Sequence, residues 1–178
     1  MLTQTSEAAV HGLIYMAVQS DPDVAFKPRI VAEAIGASAS YMAKIFHMLA
    51  RAGILKSRRG VAGGVQLGRP AASITLLEIV QACQGLMISN YCDALGSETS
   101  PDVCAFHQAM FEVQDTTKRV LMQWTLAELA AKPAPTGELG GNSRCRMLTG
   151  CAADCFREAA KKAPALPSHG NPYQGKAS

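Results

Sequence analysis

Apolar side chains recur at three- and four-residue spacing through the first fifty residues, broken by turn-forming residues. In SEAAVHGLIYMAVQ, Ala9, Leu13, Met16 and Ala17 share one face and Ser6 is placed to cap, which predicts a helix over 6–19. Asp21-Pro-Asp closes it, and Pro28 opens a second, PRIVAEAIG, with Ile30, Val31, Ala34 and Ile35 inward and Gly36 at its end. A third, SYMAKIFHMLARAG, takes Ser38 or Ser40 as its cap and buries Met42, Ile45, Phe46 and Leu49. The helical period then gives way to two short strands, Ile54-Leu-Lys-Ser and Val65-Gln-Leu, flanking Arg58-Arg-Gly-Val-Ala-Gly-Gly64. Two short helices joined by a tight turn and followed by a hairpin form a winged helix-turn-helix.

Beyond Pro70, Thr75 caps a helix to about Ala82, with Cys83 in its apolar face. Residues 91–104 are too rich in Gly, Ser, Asp and Pro for a helix, whereas 105–132 has the pattern of one long helix. Phe106, Met110, Val113, Thr117, Val120, Trp124 and Ala127 step by 4, 3, 4, 3, 4 and 3, a heptad stripe. Such a helix would be about 40 Å long and could not bury its stripe alone, so a symmetric dimer contact is expected. Pro133-Ala-Pro-Thr-Gly and Gly140-Gly-Asn make a linker, 144–162 a short helix, and the residues from Pro164 a tail, with no internal repeat. The expected fold is mainly α: a winged helix-turn-helix domain over 1–82, a loop over 83–104, a dimerisation helix over 105–132, and an appendage over 133–178.

Composition narrows the chemistry. A chain of 178 residues suits one domain with an appendage. No apolar run is long enough to span a bilayer, and Met-Leu-Thr-Gln-Thr-Ser-Glu lacks a secretory basic flank, so a cytoplasmic protein is expected. There, six cysteines suit metal ligation or redox chemistry better than a disulfide frame. The net charge of +3 is unevenly spread: residues 44–69 hold six Lys/Arg and no Asp or Glu, while 71–136 hold seven acids against three bases. One face of the molecule is therefore suited to a polyanion. Ser38, Ser40, Tyr41 and Lys44 open the second helix of the helix-turn-helix, which enters a major groove in this motif; Ser40 suits a base edge or a phosphate, and Lys44 and Arg51 suit phosphates. Arg58 and Arg59 at the hairpin tip suit phosphates or a minor groove, with Gly60, Gly63 and Gly64 shaping the turn. Double-stranded DNA is the expected partner.

The remaining chemistry lies in the cysteines. Cys92 and Cys104 bracket the polar loop and His107 follows, too few groups for a closed four-ligand site. Glu7 and His11, at i and i+4 on the first helix, offer two more on one face. Cys145, Cys151 and Cys155 form a second group in the appendage: a further metal site with His169, spare thiols, or a redox disulfide. There is no Cys-x-x-Cys, nucleotide loop or dinucleotide fingerprint to support an enzyme.

Leu2-Thr3, the block YMAKIFHMLARAGILKSRRGVAGGVQLGRP, the helix ITLLEIVQA and the later VLMQWTLAEL closely resemble the Rrf-two family of bacterial winged-helix regulators, over about residues 1–132. The resemblance implies a homodimeric transcriptional regulator in which the loop before the dimerisation helix often holds an iron–sulfur cluster, although some members lack one. Cluster-binding members usually carry three loop cysteines; here Cys92 and Cys104 match the outer two and Glu98 stands at the middle position. Ala43 stands where some relatives have an acidic residue that discriminates bases. Glu7-Ala-Ala-Val-His11 resembles the Glu-x-x-x-His of the RsrR branch, in which those two residues meet two loop cysteines of the other subunit. That resemblance implies a 2Fe–2S cluster held by Glu7, His11, Cys92 and Cys104 across the dimer, with His107 as the reserve nitrogen ligand. Zinc and a Cys92–Cys104 disulfide are the alternatives, as is a cluster-free member switched by a protein partner or a small metabolite. An imidazole in place of a thiolate raises a cluster's reduction potential, so redox state or cluster loss is the expected switch of operator affinity.

Overall fold

A computed structural model of the chain describes residues 2–19, 24–60, 63–85 and 104–132, together with Phe156 and Glu158. Helix α1 spans Gln4–Val18, starting two residues before the predicted span of 6–19. Thr3 is the cap, its hydroxyl accepting from the Ser6 N–H, while Ser6 itself is fully buried. Pro28 starts α2, Pro28–Ile35, and Gly36 ends it at φ 71°, a left-handed conformation that costs glycine little. The Ala37 N–H reaches back to the Ala32 carbonyl at 2.8 Å, which fixes the tight turn into α3, Ala39–Arg51. Of the two candidate serines, Ser38 is the α3 cap, accepting from the Tyr41 N–H.

Strands β1, Leu55–Arg58, and β2, Gly64–Leu67, pair antiparallel with Lys56 opposite Gln66 and Ser57 opposite Val65. Phe26 adds a single antiparallel bridge to β2 by exchanging backbone hydrogen bonds with Val65 at 2.7 and 2.9 Å. The wing is thereby anchored to the segment between α1 and α2. After a 3₁₀ turn over Ala71–Ser73 comes α4, Leu76–Gln84, opened by a capping box between Thr75 and Glu78. It extends two residues past the predicted end.

The long helix of the heptad pattern is two helices. Helix α5 covers Ala105–Gln123, Trp124 turns to extended backbone, and α6 covers Leu126–Ala131 behind a second capping box, Thr125 with Glu128. The break has a partner: the Leu76 N–H donates to the Trp124 carbonyl and the Leu126 N–H to the Ile74 carbonyl, both at 2.8 Å. Two Thr-Leu-x-Glu starts thus lie side by side, Thr75 paired with Thr125. The stripe therefore ends at Val120 as a helical face, and Trp124 and Ala127 leave it.

The core is built from Leu13, Val31, Met42, Ile45, Leu49, Ile54, Ile74, Ile79 and Leu126. α1 packs on α2, α3, α4 and α6. Ile30, predicted on the buried face of α2, is instead 46% exposed, because Val31, Ala32 and Ala34 make that face. A second departure concerns the appendage: Phe156 is helical, 2% exposed and belongs to this same core. Cys83 lies half-buried against the core, as its apolar neighbours predict, and burial pushes its thiol up to about 11.

Candidate nucleic-acid interface and metal centre

Amphipathicity sets the orientation of α3. Met42, Ile45, Phe46 and Leu49 bury one face, which forces Ser40, Lys44, His47 and Arg51 onto the opposite one, where all four are exposed. These positions step by 4, 3 and 4, one straight polar stripe along the helix. His47 was not among the residues the sequence singled out. The signal was present in its spacing between Lys44 and Arg51, and burial of the facing side chains makes it decisive. Ser38 is exposed too, its oxygen already engaged as the helix cap. Tyr41 is half-buried, and its hydroxyl donates to Thr5 Oγ1 of α1 at 3.1 Å. The structure thus gives this hydroxyl an intramolecular partner.

In the wing, Arg58 and Arg59 are exposed, and Val61 and Ala62 lie outside the described residues. Each glycine has its own reason. Gly60 sits at φ 113°, which side chains rarely adopt. A Cβ at Gly63 would fall 2.6 Å from the Gly60 carbonyl oxygen, and one at Gly64 would fall 2.6 Å from that of Phe26. Gly63 and Gly64 are therefore required by the close approach of the protein's own backbone. One cation of the basic run is engaged within the protein: Arg69 Nη2 donates to Glu78 Oε1 at 2.7 Å and Nη1 to the Ser73 carbonyl. Burial alone would push the Glu78 carboxyl up, but hydrogen bonds from the Thr75 N–H, the Arg69 guanidinium and the Thr75 hydroxyl hold it below the ordinary carboxylate range.

The metal candidates occupy two places. Glu7 and His11 are half-buried on successive turns of α1. Cys104 is exposed as the residue that caps α5, and one turn on, His107 Nδ1 is buried without a hydrogen-bond partner. Among the described residues, no three His, Cys, Asp or Glu side chains converge on a point that could hold a metal ion. Within one protomer, then, the described candidates Glu7, His11, Cys104 and His107 do not form one cluster. Cys92, Glu98 and the appendage's Cys145, Cys151, Cys155 and His169 lie outside the described residues. The donor types suit iron, since thiolate, imidazole and carboxylate all ligate it, and an orphaned buried ring nitrogen beside an exposed thiol fits such a group.

A sequence model of Rrf2, described as an iron-dependent transcriptional regulator, matches residues 2–132. The chain belongs to the Rrf2 family. It is a DNA-binding transcriptional regulator and not an enzyme. Among solved structures, its fold is similar to that of CymR, the global cysteine regulator of B. subtilis, with a TM-score of 0.61 at 22% identity over 74% of this chain and 96% of that one. T. potens IscR gives 0.60 at 20% identity, over 79% and 93% of the two chains. The oxidized form of Staphylococcus aureus CymR gives 0.57 at 25% identity, over 73% and 95%. The Rrf2 match stops at Lys132, so Phe156 reaches the core from outside the family's shared segment. Among the described residues no helix is long and apolar enough to cross a membrane.

Proposed function

We propose that this Rrf2 regulator binds operator DNA as a homodimer and that the redox state or loss of an iron–sulfur cluster, of the 2Fe–2S type, sets its affinity. Ser40, Lys44, His47 and Arg51 face the major groove and Arg58 and Arg59 the adjoining backbone or minor groove. Phe106, Val113 and Val120, spaced by seven and 61%, 58% and 41% exposed, are the α5 face that a second copy covers. The ligand set is Glu7 and His11 of one subunit with Cys92 and Cys104 of the other, as the resemblance to the RsrR branch implies.

The observation that carries a metal centre is the exposed Cys104 thiol one turn before the orphaned Nδ1 of His107. A buried ring nitrogen without a partner loses its hydration for no return unless something binds it. The same observation favours a second assignment of the nitrogen ligand, His107 in place of His11. When bound, the cluster would supply one-electron redox chemistry. The chain's own residues hold it, keep an imidazole in the set, and link α1 to the DNA-reading unit. Purification without oxygen, an absorption spectrum, and iron and sulfide counts test the reading; colourless, iron-free protein refutes it. His11→Ala and His107→Ala then decide the ligand, since only the true one changes the spectrum.

A further inference from the structure

The first turn of α1 is bonded on two sides. Gln84, the last residue of α4, accepts on its Oε1 from the Thr3 N–H at 3.1 Å and from the Ser6 hydroxyl at 2.8 Å. Ser6 is fully buried, and the Thr3 hydroxyl that caps α1 accepts in turn from the Ser6 N–H. One amide oxygen therefore fixes both the cap and the buried serine. On the other side of the same turn, Thr5 Oγ1 accepts from the Tyr41 hydroxyl at 3.1 Å. Tyr41 belongs to the first turn of α3, three residues before Lys44.

We infer that this turn is a hydrogen-bonded strap between the end of α4 and the DNA-reading helix, with Gln84 and Thr5 as its positioning residues. The inference rests on the reading above for what moves the strap: Glu7 and His11 lie two and six residues after Thr5 on α1, and Cys92 lies eight residues beyond Gln84 in sequence. A displacement of α1 or of the end of α4 cannot occur without shifting or breaking one of these bonds. The bonds are between neutral groups, strong enough to set a position and weak enough to exchange. Breaking the Gln84 pair would leave the buried Ser6 hydroxyl with only the Thr3 hydroxyl, at 3.1 Å, as its partner and would free the Thr3 N–H, so the first turn of α1 is held less tightly without Gln84.

Gln84→Leu and Thr5→Val keep side-chain volume and remove the polar groups. The full-length parent and both variants, purified without oxygen, are compared in iron content, in affinity for an operator fragment with and without iron, and in amide hydrogen exchange. The expected result is parental iron loading in both variants, with the ratio of loaded to iron-free affinity falling to one. An unchanged ratio overturns the strap. If the parent itself holds no iron, the cluster reading fails, and the exchange data test the strap alone. In iron-free protein, Gln84→Leu should speed exchange at the first turn of α3, on a helix Gln84 does not touch by hydrogen bonding. Parental exchange there, with faster exchange only at α1, overturns the strap independently of any cluster.

Discussion

Glu78 and Arg69 show how far a side chain's task depends on its surroundings. Arg69 lies at the end of a run of bases that suits a polyanion, yet the 3₁₀ turn at Ala71–Ser73 folds it back onto Glu78. The Glu78 carboxyl is depressed in the folded state, so its stabilisation is fully present above the ordinary carboxylate pKa. It is lost as pH falls through the lowered value. Glu78→Gln should therefore be less stable than the parent at neutral pH, and the difference should shrink as acidification carries the pH below the ordinary carboxylate range. Urea denaturation at several pH values measures it; a difference constant with pH would mean the charge has no part. Phe156 is the other residue whose role spacing concealed. Replacing it with alanine removes a fully buried ring and should cost about 3–5 kcal/mol, read as a lowered denaturation midpoint. An unchanged midpoint would place Phe156 outside the core.

Among the elements, α3 and the wing were the most legible, since a 3.6-residue period, a capping serine and glycines between two strands each have a single structural solution. The polar stripe of α3 was half-read: Ser40, Lys44 and Arg51 stood out by type, His47 only once its neighbours were buried. Two changes separate the elements' tasks. Arg59→Ala should weaken operator binding by about 1–3 kcal/mol if the side chain reads a base, and Lys44→Ala, at a phosphate, should lower the salt slope of binding by about 1. His47→Ala should weaken binding as well, and parental affinity would remove it from the interface. Titrations at several salt concentrations read all three. The α5–α6 break was harder to see, because the heptad steps continue across it. Thr125-x-x-Glu128 announced a helix start, but only pairing with the Thr75 strand-like segment makes stopping α5 at Gln123 favourable.

For the whole molecule, the open question at the surface is the α5 face. A stripe of Phe106, Val113 and Val120 in water loses the burial that stabilises such helices, and in the proposed homodimer a second copy would supply it. Val113→Glu should shift the protein from dimer to monomer in sedimentation and reduce affinity for a two-half-site operator; a parental sedimentation profile would assign the dimer contact elsewhere. The sequence by itself determined the fold class, the helix-turn-helix, the wing and the family, because these rest on local periods, caps and turn residues that act over a few positions. It also offered the candidate ligand types, Glu7 with His11 and Cys92 with Cys104, and His107 as the reserve. Only the tertiary structure decided which oxygen Tyr41 bonds, that Gln84 holds the start of α1, and that Phe156 joins a core more than twenty residues beyond the family's segment. Each of these is a contact between positions far apart in the chain, and no local pattern encodes a partner that folding alone brings near.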